Sequence, residues 1–139
     1  MNIKQGQSLM DEINQFIDVG DYFKAEEKAK TLLQMAEKKG WQDLLISALS
    51  FRLAFAIEND NLEEGEKLAA RLAKQPPTDY SIFLQARLLM KQGKNHESLE
   101  KGREALAFAQ KHSDTTQRAI LEKIYNLNPN QHKSHYYCL

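Results

Sequence analysis

Apolar residues along this chain recur at helical spacing in a succession of segments, each closed by glycine, an Asn/Asp cluster or proline. Leu9, Ile13, Phe16 and Ile17 stand at i, i+4, i+7 and i+8, which places them on one face of a helix that Gly20-Asp21 breaks. Tyr22, Ala25, Ala29, Leu32, Leu33 and Ala36 give a second helix its apolar face. Lys38-Lys39-Gly40 then supplies the cations and the glycine that suit a helix C-terminus. Together the two predict an antiparallel hairpin. The pattern repeats: an apolar helix from about Trp41 to Glu58, a turn at Asn59-Asp60-Asn61, and a fourth helix with Leu62, Leu68, Ala69, Leu72 and Ala73 that ends before Pro76-Pro77. Thr78 or Asp79 can cap a fifth helix carrying Ile82, Phe83, Ala86, Leu89 and Met90, after which Gln92-Gly93-Lys94-Asn95 turns the chain into a sixth with Leu99, Leu106 and Ala109. Asp114-Thr115-Thr116-Gln117 has the form of a capping box, and Ile120, Leu121, Ile124 and Leu127 continue a seventh helix up to Pro129. Residues 129–139 read as a polar tail behind a single domain over residues 1–128.

The three intra-hairpin turns align at Gly20, Asp60 and Gly93, spaced 40 and 33 residues apart, a period that suits stacked helix pairs. Five residues past each aligned turn stand Ala25, Gly65 and Ser98, and nine past it Ala29, Ala69 and Gly102. Every second helix therefore opens with two small residues one turn apart, which predicts close helix approach at those positions.

These residues resemble the tetratricopeptide repeat family. Its hairpin has a small residue in the first helix, a Gly-Asp-Tyr type of turn, small residues in the second helix and often a proline before the next repeat. Gly20-Asp21-Tyr22 with Ala25 is similar to that turn, Pro77 falls at the inter-repeat proline, and Ala86, Gly93, Ser98 and Ala105 match in the third unit. The resemblance covers roughly residues 7 to 111, with departures at Leu53, where a small residue belongs, at Asn95, where an aromatic belongs, and in the long first interval. It implies an all-α fold, an α-solenoid of about three antiparallel hairpins with the seventh helix as a C-terminal cap. It also implies a protein- or peptide-binding adaptor or regulatory module whose concave groove is lined by the first helix of each hairpin.

Three stripes would face such a groove: Gln7, Met10, Asn14 and Ile17 on the first helix; Ser47, Ser50, Ala54 and Glu58 on the third; and Tyr80, Phe83, Arg87, Met90 and Lys91 on the fifth. Asn14, Ser50, Glu58, Tyr80, Phe83, Arg87 and Lys91 are the expected peptide-binding residues. Asn14 suits a ligand backbone amide, Arg87 and Lys91 a carboxylate, and Tyr80 and Phe83 apolar contact. The competing reading makes Phe83 and Met90 core and leaves Arg87 and Lys91 solvated. The carboxylate clamp of chaperone-binding arrays does not fit, because Met10, Ser50 and Ala54 occupy positions that would need polar or cationic groups. Arg52, inside the apolar third helix, is open to three readings: a buried ion pair, a ligand contact, or a side chain snorkelling from the helix edge.

Composition narrows the alternatives. The 139 residues carry nineteen bases and nineteen acids with signs interspersed, so nucleic acid is not an expected partner. The apolar run from Leu44 to Ile57 is interrupted by Ser47, Ser50 and Arg52 and falls short of the about 20 residues a bilayer span needs, so no membrane association is expected. Residues 1–7 have no apolar core of signal-peptide length, and the single cysteine, Cys138, fits a reducing compartment; cytoplasmic location is the expectation. Neither a phosphate loop, a His-Glu-x-x-His helix nor a nucleophile elbow is present, and Glu26-Glu27 and Glu63-Glu64-Glu66 sit where they complement helix dipoles, so no enzyme activity, catalytic residue or cofactor is expected. His132, His135 and Cys138 have a spacing that could hold a soft metal, but on a tail adventitious binding is the expected behaviour. The rival to a peptide-binding module is a self-assembling structural protein, a homodimer formed through the Tyr80 and Phe83 stripe or the Tyr136-Tyr137 tail.

Overall fold

The computed structural model describes residues 2–112, and these form helices joined by short turns, with no strand among the described residues. The elements are α1 (Ile3–Asp18), α2 (Tyr22–Lys39), α3 (Gln42–Glu58), α4 (Leu62–Ala73), α5 (Asp79–Lys91) and α6 (Asn95–His112). The seventh helix and the tail expected over residues 114–139 lie outside the described residues. Two compact units divide at the proline pair, Met1–Pro76 and Pro77–Leu139.

Helix ends follow from local chemistry. At α1 the Asn2 side chain accepts from the Gln5 backbone N–H while the Gln5 side chain accepts from the Asn2 N–H, a reciprocal cap that starts the helix ahead of its first apolar residue. Thr78 and Ser81 do the same for α5, at 3.0 and 2.9 Å. Asp21 and Asn61 cap α2 and α4 by accepting from the Lys24 and Glu64 backbone N–H groups.

The aligned turns are alike in backbone. Gly20, Asp60 and Gly93 have φ of 79, 56 and 81°, the left-handed region. In each turn the next residue's N–H reaches back five positions, from Asp21 to Phe16 at 2.8 Å, from Asn61 to Ala56 at 2.8 Å and from Lys94 to Leu89 at 2.9 Å. This satisfies the last carbonyls of the first helix and reverses the chain within a few residues. Asp60 holds without strain relief a conformation that its two counterparts reach as glycine.

In the first unit α2 packs on both α1 and α3, and α3 packs on α4. Ala25, Ala29, Leu32, Leu33 and Ala36 form the buried side of α2. Gly6 is a close-approach point between α1 and the start of α3, since a Cβ there would lie 2.7 Å from Leu44 Cδ1 and 3.1 Å from the Trp41 ring. Ion pairs cross between helices: Glu12 to Lys28 at 3.5 Å, Glu37 to Arg71, and Arg52 to Glu64 at 3.1 Å. In the second unit Ile82, Phe83, Ala105 and Ala109 make a buried cluster on which Tyr80, Met90, Leu106 and Phe108 pack. The Ser98 hydroxyl donates to the Ala86 carbonyl at 2.7 Å, so the small residue of α6 sits directly against α5.

All three residues five past the turns, Ala25, Gly65 and Ser98, are buried, as are Ala29 and Gly102; Ala69 is half-buried. Seven before each turn stand Ile13, Leu53 and Ala86, and all are 0% exposed. By sequence register the counterparts of Ala86 and Ser98 in the second hairpin are Leu53 and Gly65, a large residue on the first helix and the smallest on the second. Side-chain volume has moved from one helix to the other.

Candidate binding surface

The predicted stripes differ sharply in exposure. On α1, Gln7 and Asn14 are exposed and Met10 and Ile17 half-buried between them. The stripe Ile3, Gln7, Met10, Asn14, Ile17 carries no charge. Gly6 and Ile13 are the buried residues of α1, and Leu9, Met10, Phe16 and Ile17 are half-buried. The stripe therefore borders the side that packs on the protein, with Gln7 and Asn14 at its open edge.

On α3 the stripe is largely interior. Ser50 is 4% exposed, and Ser47, Ala54 and Glu58 are half-buried. Leu53, Phe55, Ala56 and Ile57 on adjoining positions are all buried, which means α3 is covered on most of its circumference. Ser50 is therefore corrected from a groove residue to a core one. Glu58 keeps some exposure and is engaged within the protein.

The α5 stripe is corrected more fully. Phe83 is 0% exposed and belongs to the buried cluster, with Tyr80 stacked on it at a centroid distance of 6.5 Å. Arg87 is 3% exposed, and Tyr80 and Lys91 are half-buried and engaged with other groups. Four consecutive residues, Ser81 to Leu84, are buried, which no one-sided helix allows. The aromatic pair and methionine hold α5 to α6; they do not present a surface. Of the seven residues expected to bind a peptide, Asn14 alone is exposed, with Glu58, Tyr80 and Lys91 half-buried and Ser50, Phe83 and Arg87 buried.

Arg52 forms the ion pair to Glu64, with the two side chains 18% and 36% exposed and Arg52 Nε buried without a hydrogen-bond partner. Its place is structural, between α3 and α4. Glu64 accordingly leaves the group of free surface acids.

One exposed set was missed by reading helical faces. Val19 is 76%, Phe23 75%, Tyr22 48% and Ile3 48% exposed. Tyr22, expected on the buried face of α2, is turned outward because it is the first residue of the helix, beside the cap at Asp21. Lys24 lies 5.8 Å over the Phe16 ring and 3.8 Å from the Asp21 carboxylate, so its charge is engaged at the same turn. The alignment of turns contains the missing signal: Val19 and Phe23 are matched by Asn59 and Glu63, and by Gln92 and His96. Only the first turn is apolar there.

No group of three or more metal-ligating side chains occurs among the described residues, and none of their helices is long and apolar enough to cross a membrane. His132, His135 and Cys138 lie outside the described residues. No protein-family model, no curated protein and no solved structure matches this chain.

Proposed function

We propose that the chain is a polypeptide-binding module of the tetratricopeptide type, an adaptor or regulatory domain that works by holding a partner rather than by catalysis, in a cytoplasmic setting. The reading is carried by the uncharged stripe of α1, with Gln7 and Asn14 exposed. A carboxamide both donates and accepts, so it can match the N–H and C=O of a bound backbone. Met10 and Ile17 between them give adaptable apolar contact. The hairpin register of Ala25, Gly65 and Ser98, all buried, supports the family comparison, since helix pairs built to one pattern offer their first helices as successive rungs.

The test is capture from native lysate with mass spectrometry, followed by binding of the recovered polypeptide in purified form. Gln7→Glu with Asn14→Arg should abolish that binding while leaving helical content unchanged, because both side chains are exposed. Binding that survives the pair removes the α1 surface. A stoichiometric homodimer by light scattering, dissociated by the same pair, would replace it with self-assembly.

A further inference from the structure

We infer that the tip of the first hairpin is a second docking surface, separate from the α1 stripe, and that its partner is a cationic amphipathic polypeptide segment. The three turns share one backbone conformation and one hydrogen-bond pattern, so the fold makes the same demand of each. Asn59 with Glu63 and Gln92 with His96 meet that demand at the second and third turns. Val19 and Phe23 are therefore not required by the turn, yet they are 76% and 75% exposed, with Tyr22 beside them at 48%. Large apolar groups gathered at one tip and left in water mark an interaction site when the fold does not need them.

Charge identifies the occupant. From Phe16 to Lys30 there are four acids, Asp18, Asp21, Glu26 and Glu27, against three bases, Lys24, Lys28 and Lys30, and the bases follow the tip while Asp18 precedes it. Lys24 is held by Asp21 and the Phe16 ring, and Glu27 is 3.8 Å from Lys30. Asp18 is exposed in the last turn of α1, where there is no basic residue and the helix dipole already adds negative potential. Glu27 follows Phe23 by four residues, so both lie on one face of α2. An apolar centre with the exposed Asp18 carboxylate and a helix C-terminus at its rim favours a segment with apolar anchors and lysine or arginine around them. The same rim repels an anionic lipid surface, and a two-fold contact between copies would set it against itself.

The probe is a synthetic peptide of leucine and lysine at helical spacing, titrated into the full chain with backbone amide shifts as the readout. Shifts should concentrate at residues 16–24, and Val19→Asn with Phe23→Glu should weaken binding at least about tenfold. Those residues already serve the second turn, and circular dichroism checks that the helices persist. Asp18→Lys, a single exposed change, should weaken binding severalfold and flatten its salt dependence. Gln7→Glu with Asn14→Arg should leave the tip shifts in place, which separates this surface from the α1 stripe. The inference is overturned by unchanged affinity in both tip variants, by equal binding of a leucine–glutamate peptide, by tip-dependent binding to anionic vesicles, or by a dimer that the tip variant dissociates.

Discussion

The first and third hairpins turn on the same backbone geometry, with buried small residues at the same distance past the turn, yet they dispose of their polar and aromatic groups in opposite ways. In α5, Phe83 and Arg87 are 0% and 3% exposed. In α1 the corresponding residues, Met10 and Asn14, are half-buried and exposed, and at the tip that follows them Val19 and Phe23 stand in water. The difference lies in how many sides of each first helix are covered. Helix α1 buries Gly6 and Ile13 alone, whereas α5 buries Ser81, Ile82, Phe83, Leu84, Ala86, Arg87 and Leu88, residues distributed around its whole axis. The covered helices carry the packing of their units, and α1 keeps an accessible edge.

The largest expected effect breaks the covered side. Arg87→Glu puts an acid where a buried guanidinium sits and should cost about 3 kcal/mol or more, while Asn14→Glu on the open face should stay within about 0.5 kcal/mol. Urea denaturation of the two variants measures the contrast directly.

Next come the small residues. Ala29→Leu, at a position with 0% exposure, should cost about 1 to 3 kcal/mol because no room exists for added methylenes. A thermal melt indistinguishable from that of the unaltered chain would show that α2 does not depend on close approach there.

The turns give a smaller pair of effects with opposite signs. Gly20→Ala, at a φ of 79°, should destabilise by about 1 kcal/mol, and Asp60→Gly, at 56°, should be neutral or stabilising by a similar margin. If both shift the midpoint in the same direction, the turns are not equivalent. Smallest of these is Glu64→Gln, which removes the charge facing Arg52 in a partly exposed pair and should cost about 0.5 kcal/mol.

Much of the hairpin layout was legible in the sequence because its causes are local. The breaks at Gly20-Asp21 and Asn59-Asp60-Asn61, the cap at Thr78 and the proline pair each act within a turn or two of chain, and each falls at a helix end; that Asp21 and Asn61 also cap the helices that follow is a finding of the structure. The positions of Ala25, Gly65 and Ser98 were legible for a related reason: only small residues permit backbones to approach, so their recurrence marks the contact side. Exposure of the stripes was not legible. Helical spacing states that Tyr80, Phe83, Arg87 and Lys91 share a face, but whether that face is covered depends on tertiary packing that no spacing encodes. The capping box at α1 is not marked by the apolar pattern, because Asn2 and Gln5 precede Leu9, where that pattern starts. Val19 and Phe23 are ordinary within their own helices and stand out only beside Asn59 and Glu63 across the aligned turns.

The most direct test of the whole account is the unfolding free energy of the chain carrying Val19→Asn and Phe23→Glu, the side chains of the second turn placed on the first. The account predicts a value within about 0.5 kcal/mol of the unaltered protein, because the backbone of the turn asks nothing of those two side chains. A loss of about 2 kcal/mol or more would contradict it, showing that Val19 and Phe23 hold the hairpin together and are not reserved for a partner.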